Sequence, residues 1–111
     1  MTIETLTAAL TLETVVSGEP DTPVTGGYCG DLLSWVMGRA RSGDAWITVM
    51  GNVNAIAVAV LADTACIILA ENSPLDDDAR TRAQSQGVTV LRSPKPAYAL
   101  AVELHTALAV E

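Results

Sequence analysis

A chain of 111 residues with thirteen acidic and six basic side chains, formal charge −7, is half apolar yet holds no Phe and only two Trp and two Tyr. That length supports one core, filled here by small aliphatic residues. The acidic balance excludes nucleic acid and anionic membrane surfaces, which are gripped through many Lys/Arg–phosphate contacts, while the apolar excess leaves surface to be buried in an oligomer.

Thr2 is placed to cap a short helix through Leu10, with Ile3, Leu6 and Leu10 on one face. Leu12 to Val16 reads as a brief strand ended by Ser17-Gly18. Glu19-Pro20-Asp21-Thr22-Pro23 is a turn-rich connection inside the domain, because Pro fixes φ and the residue before it avoids the helical region. The stretch Val24-Thr25-Gly26-Gly27-Tyr28-Cys29-Gly30-Asp31-Leu32-Leu33 reads as a strand-to-helix junction. Its three glycines allow positive φ or close approach to a neighbour or ligand. Asp31 opens the next helix, whose apolar face is Leu32, Leu33, Val36, Met37 and Ala40; Ser42-Gly43 ends it.

Ala45 to Met50 is a strand, followed by the loop Gly51-Asn52. Asn52 or Asn54 caps a helix to about Ala62 that is apolar almost all round, so it is expected to be buried on two sides. Either it lies between sheet and neighbouring helix or it forms a subunit interface. Ala65 to Leu69 has the continuous apolar pattern of a central parallel strand. Glu71-Asn72-Ser73-Pro74 leads into a polar helix from Asp76 to about Gln86, closed by Gly87. Asp76-Asp77-Asp78 complement the positive end of that helix rather than hold a metal, since consecutive helical side chains diverge. Val88 to Leu91 is the last strand, and a helix runs from about Pro96 to Val110. The alternation implies right-handed βαβ units and a mostly parallel sheet covered by helices: one compact α/β domain over 1–111.

Candidate sites follow from that frame. In open α/β sheets ligands bind beyond the carboxyl ends of the strands. Asn52, Asn54, Asn72, Ser73, Arg92, Ser93 and Lys95 stand in the three loops there, offering amides, hydroxyls and two cations to a small anionic or nucleotide-like ligand. The same residues are also accounted for as helix caps, turns and solvated charges. The glycine stretch is neither G-x-G-x-x-G nor a Walker A loop, and no Gly-Lys-Ser/Thr run occurs. It can be an anion cradle, or a bulge or close strand contact at an interface; no cation lies in or beside it in the sequence, which favours assembly.

His105 has no nucleophile or acid at a suggestive spacing. Trp35 lies off the apolar stripe and would mark an interface if exposed. Cys29 and Cys66 read as buried thiols rather than a disulfide or metal pair. No catalytic constellation, metal site or cofactor is expected. No apolar run reaches membrane-spanning length, because Asp63 and Thr64 interrupt the longest. No secretory pattern opens the chain, so a cytoplasmic protein is expected.

Thr25-Gly26-Gly27-Tyr28, Asp31-Leu32-Leu33 with Val36-Met37, and Gly43-Asp44-Ala45-Trp46-Ile47-Thr48 together resemble the DRTGG domain family. The likeness continues through Asn54-Ala55-Ile56-Ala57-Val58-Ala59 and Pro96-Ala97-Tyr98-Ala99-Leu100-Ala101, and so covers nearly all the chain from Val24 onward. One departure is plain: Pro23-Val24 stand where the naming motif has Asp-Arg. The resemblance implies an α/β module of the kind that accompanies phosphotransacetylases and CBS-containing pyrophosphatases as a non-catalytic regulatory or dimer-forming part. It is also similar to the N-terminal domain of HPr kinase/phosphorylase, without the kinase half.

The expected function is therefore a non-enzymatic regulatory or assembly module. It would form a homodimer, with Thr25, Gly26, Gly27, Tyr28 and Asp31 at the contact or in its supporting structure, and would sense an adenine nucleotide or other anionic metabolite. The alternatives are an interaction subunit of a redox, hydrogenase-type system, as the resemblance implies, or a small metabolite-binding enzyme.

Overall fold

The structure is a computed structural model that describes residues 1–110. Ten elements alternate along the chain: α1 (Ile3–Ala9), β1 (Glu13–Val16), β2 (Gly26–Cys29), α2 (Leu33–Arg39), β3 (Asp44–Thr48), α3 (Val53–Ala62), β4 (Cys66–Leu69), α4 (Asp77–Gln86), β5 (Val90–Arg92) and α5 (Ala97–Ala109). They build one five-stranded sheet in the order β1-β5-β4-β3-β2. The four strands β2 to β5 are parallel, and β1 joins β5 antiparallel with a register shift between Thr14 and Val16. The expected α/β fold with a mostly parallel sheet under helices is what the chain adopts.

Strand alternation divides the core into two layers. Ala45, Ile47, Cys66, Ile68 and Leu91 face α1 and α5, meeting Leu6, Leu100 and Leu104. Trp46, Ile67, Leu69 and Val90 face the other way, against Val36, Ile56, Ala59 and Ala79 of α2, α3 and α4. β3 and β4 are buried along their whole length, as strands covered on both faces must be.

The local signals explain most boundaries. Thr2 caps α1 by accepting from the Thr5 N–H at 3.2 Å. Asn52, rather than Asn54, caps α3, its Oδ1 accepting from the Ala55 N–H at 2.9 Å. Gly87 ends α4 at φ +70, the left-handed turn that glycine adopts without strain.

Two expectations need correction. Asp31 does not cap α2: the cap position is Leu32, which offers no side-chain bond, because the Asp31 carboxylate is drawn across to β3. Of the apolar face expected for α2, Val36 is buried and Leu33 and Ala40 pack against the core, but Leu32 and Met37 are about half exposed, as is Trp35 off that face. Helix α3 buries Ala55, Ile56, Val58 and Ala59 against the sheet and packs beside α2 and α4, yet Val60 and Leu61 remain open, Leu61 at 70%. It thus lies between the sheet and its neighbouring helices, the first of the two expected arrangements, with Val60 and Leu61 outside those contacts. Among the described residues no helix is long and apolar enough to cross a membrane.

Candidate functional site

The carboxyl ends of β3, β4 and β5 bring together the loops expected to hold a ligand. Gly51 lies so close to the Pro74 carbonyl that a β-carbon there would overlap it, and the Gly51 carbonyl accepts from the Asp76 N–H at 2.8 Å. The Asn72 N–H donates to the Ser93 carbonyl and the Glu71 N–H to the Lys95 carbonyl, both at 2.9 Å. Ser73 Oγ donates to the Ala70 carbonyl at 2.7 Å, and Ser93 Oγ, buried, accepts from the Lys95 N–H at 3.1 Å. Asn54 and Asn72 are exposed, Asn72 at φ +54.

Both cations at this end already have counter-charges. Arg92 reaches Glu13 through Nε at 3.2 Å and Nη2 at 3.0 Å, and those bonds hold the Glu13 carboxyl below its ordinary value. Lys95 Nζ sits 2.8 and 2.9 Å from the two Glu103 oxygens. An anion arriving here would have to displace a carboxylate.

The glycine stretch is the expected strand-to-helix junction, running from β2 into α2, and its strand lies at the edge of the sheet. Gly26 and Gly27 are the first two residues of β2, paired with Asp44 and Ala45, and no bulge interrupts that pairing. The two glycines serve opposite faces. A β-carbon on Gly27 would strike the Leu104 side chain of α5, whereas one on Gly26 would lie 2.7 Å from Asp44 Oδ1. Gly43, at φ +88, is pressed against Thr25, whose N–H donates to the Gly43 carbonyl at 2.9 Å. Pro23 bridges Thr2, and Val24 is buried in the core with its N–H on the Met1 carbonyl at 2.7 Å. Where the resemblance has a charged pair, this chain has an exposed proline and a core valine.

An open polar cleft of about 510 Å³ lies along the amino end of this strand, lined by Thr25, Gly26, Gly27, Tyr28, Arg39, Arg41, Ser42 and Asp44. The expectation that no cation stands beside the glycines is therefore wrong. Arg39 ends α2 with its guanidinium 3.8 Å above the Trp35 ring, a stacked arrangement that fixes the charge. Among the described residues neither Arg39 nor Arg41 forms an ion pair. Asp44, buried at the start of β3, accepts from the Arg41 N–H through Oδ2 at 2.8 Å. Ser42 donates to Asp63 Oδ2 at 2.5 Å.

The signal that finds these arginines is topological. A right-handed β–α–β crossover sends α2 antiparallel to β2, so residues just after α2 return to the amino end of β2, beside residues 25–26.

Asp31 belongs to the opposite end. Its Oδ1 accepts from Thr48 Oγ1 at 2.7 Å and from the Val49 N–H at 2.9 Å, tying the end of β2 to the β3–α3 loop. Trp46 Nε1 donates to the Gly30 carbonyl at 2.9 Å across the same strand pair. Cys29 is exposed, not buried as expected. Partial burial and the Asp31 charge raise its thiol above the ordinary value, and burial pushes Cys66 up to about 12, so neither is activated as a nucleophile. His105 is exposed on α5.

Comparison with known proteins adds a fold likeness. No family model matches the chain, and no curated protein does. Among solved structures, it is similar to the CBS and DRTGG domains of the regulatory region of a Clostridium perfringens pyrophosphatase, solved in complex with the activator diadenosine tetraphosphate. The TM-score is 0.71 at 12% identity, over 92% of this chain and 45% of the other. The chain thus spans less than half of that protein's length. The likeness supports a DRTGG-like fold.

Proposed function

We propose that this domain is a non-catalytic regulatory module that pairs with a second copy of itself and senses a small anionic metabolite, an adenine nucleotide foremost. The observation that carries the assembly half is the apolar outer surface of two neighbouring helices. Leu32, Trp35 and Met37 of the α2 region and Val60 and Leu61 of α3 all stand open to solvent. Side chains of that size and number, aromatic and Met among them, are the composition of an interface core rather than of a free surface. The sensing half draws on the fold likeness to a regulatory region with an adenine-nucleotide activator and on the two unpaired arginines at the glycine strand.

Light scattering behind size exclusion tests the assembly directly. The expected result is a mass twice that of one chain, falling to that of one chain in Leu61→Glu, whose side chain is too exposed for the change to disturb the core. A wild-type chain that stays monomeric at high concentration contradicts the assembly half. A thermal-shift screen with nucleotides and phosphorylated metabolites tests the sensing half, and a screen without any shift contradicts it.

A further inference from the structure

We infer that the cleft at the amino end of β2 and β3 is a binding site for a phosphorylated ribose, with Arg39 and Arg41 taking the phosphate and Asp44 taking a ring hydroxyl. This rests on the sensing half of the reading above and adds to it a place and a ligand chemistry.

Charge singles out this cleft. Of the six basic residues, Arg92 and Lys95 are paired with carboxylates and Arg80 donates to the Val15 carbonyl at 3.1 Å. Arg39 and Arg41 line one cleft, and neither has a carboxylate partner among the described residues. Two guanidinium forks on one concave surface suit the bidentate recognition of a phosphate. Stacking on Trp35 reduces the conformational freedom that Arg39 would otherwise lose on binding.

Asp44 narrows the ligand. Its Oδ2 is used by the Arg41 N–H, while Oδ1 faces Gly26 at a distance where any β-carbon would press on it. Only glycine at position 26 leaves that oxygen uncovered. A carboxylate in the wall repels a bare anion but accepts well from a hydroxyl, as acidic residues do from ribose in dinucleotide folds. The ligand that satisfies both walls carries a phosphate and a sugar hydroxyl together. A cleft of about 510 Å³ has room for a molecule of that size.

Amide-resolved NMR titration of the full chain with AMP, ribose 5-phosphate and inorganic phosphate tests this. Shifts are expected at Gly26, Gly27, Gly43 and Asp44 with the first two, and inorganic phosphate is expected to bind about tenfold more weakly. Arg41→Gln should weaken AMP by about tenfold, the worth of one charge-assisted contact, while Arg82→Gln, on α4, changes nothing. Asp44→Asn keeps an acceptor for the Arg41 N–H and removes the repulsion, so it should narrow the gap between inorganic phosphate and ribose 5-phosphate.

Shifts that fall instead at Asn52, Asn72 and Ser93 overturn this site and leave the sensing reading standing. Binding of none of the three overturns this site, and the wider screen of nucleotides and phosphorylated metabolites then decides the sensing reading by itself. Inorganic phosphate binding as tightly as AMP, with Asp44→Asn indifferent, overturns the assignment of Asp44.

Discussion

The two ends of the parallel sheet carry similar residues and use them in opposite ways. At the carboxyl ends, Arg92 and Lys95 stand among amides and hydroxyls, yet each is held by a carboxylate, and the loops are pinned to one another through Gly51, Pro74, Asn72 and Ser93. At the amino ends, Arg39 and Arg41 face a cleft whose one carboxylate, Asp44, is engaged by a backbone N–H. A cation is available to a ligand only when the fold has not already given it a partner. Long-range pairing decides this: Glu13 is 79 residues from Arg92 in the chain.

The largest expected effect probes how firmly the carboxyl end is closed. Gly51→Ala would drive a methyl into the Pro74 carbonyl and should cost about 1–3 kcal/mol in denaturant unfolding; a change within the noise of the measurement would mean that these loops are not locked. Asp31→Ala removes the acceptor shared by Thr48 Oγ1 and the Val49 N–H and should cost about 1 kcal/mol. Equal stability of Asp31→Ala and wild type would show that the tie across β2 and β3 contributes nothing.

The open end should respond with the opposite sign. Nothing lies near a β-carbon at Gly38 inside α2, so Gly38→Ala should stabilise by about 0.5–1 kcal/mol. A loss there would reveal packing on that face, including packing by a second copy.

The smallest effect is a pH dependence. Hydrogen bonds from Arg92 hold the folded Glu13 carboxyl below its ordinary value of 4.5. The pair therefore stabilises fully above that value, and the contribution is lost as pH falls through the lowered folded value. Unfolding midpoints followed from neutral pH down through the carboxylate range should decline slightly less steeply in Glu13→Gln than in wild type. Identical acid slopes would contradict the pairing.

Much of the fold is legible in the sequence because local chemistry and global architecture agree. Thr2, Gly87 and the strand-like runs at Ala45–Met50 and Ala65–Leu69 each point to the element that forms, the first of them ending two residues early at Thr48. What is not legible depends on partners distant in the chain. Asp31 has the residue type of a helix cap, but a hydroxyl and an N–H on the neighbouring β3 segment take its carboxylate. Asn52 and Asn54 are equivalent as caps by composition, and only the helix start distinguishes them. Spacing marks the α2 apolar residues as core, and Leu33, Val36 and Ala40 do pack there, whereas Leu32, just before the helix begins, and Met37 stay outside it. The glycine strand looks uncharged because its arginines arrive from the far end of the crossover helix.

The claim that ligand recognition belongs to the amino end is tested most directly by ligand-induced stabilisation in two paired variants. AMP at a hundredfold excess over its Kd should stabilise wild type by about 2.7 kcal/mol. Arg92→Gln with Lys95→Gln should retain that gain, and Arg39→Gln with Arg41→Gln should lose it while unfolding normally without ligand. Loss of the gain in the Arg92–Lys95 variant, with the Arg39–Arg41 variant unaffected, would contradict the account.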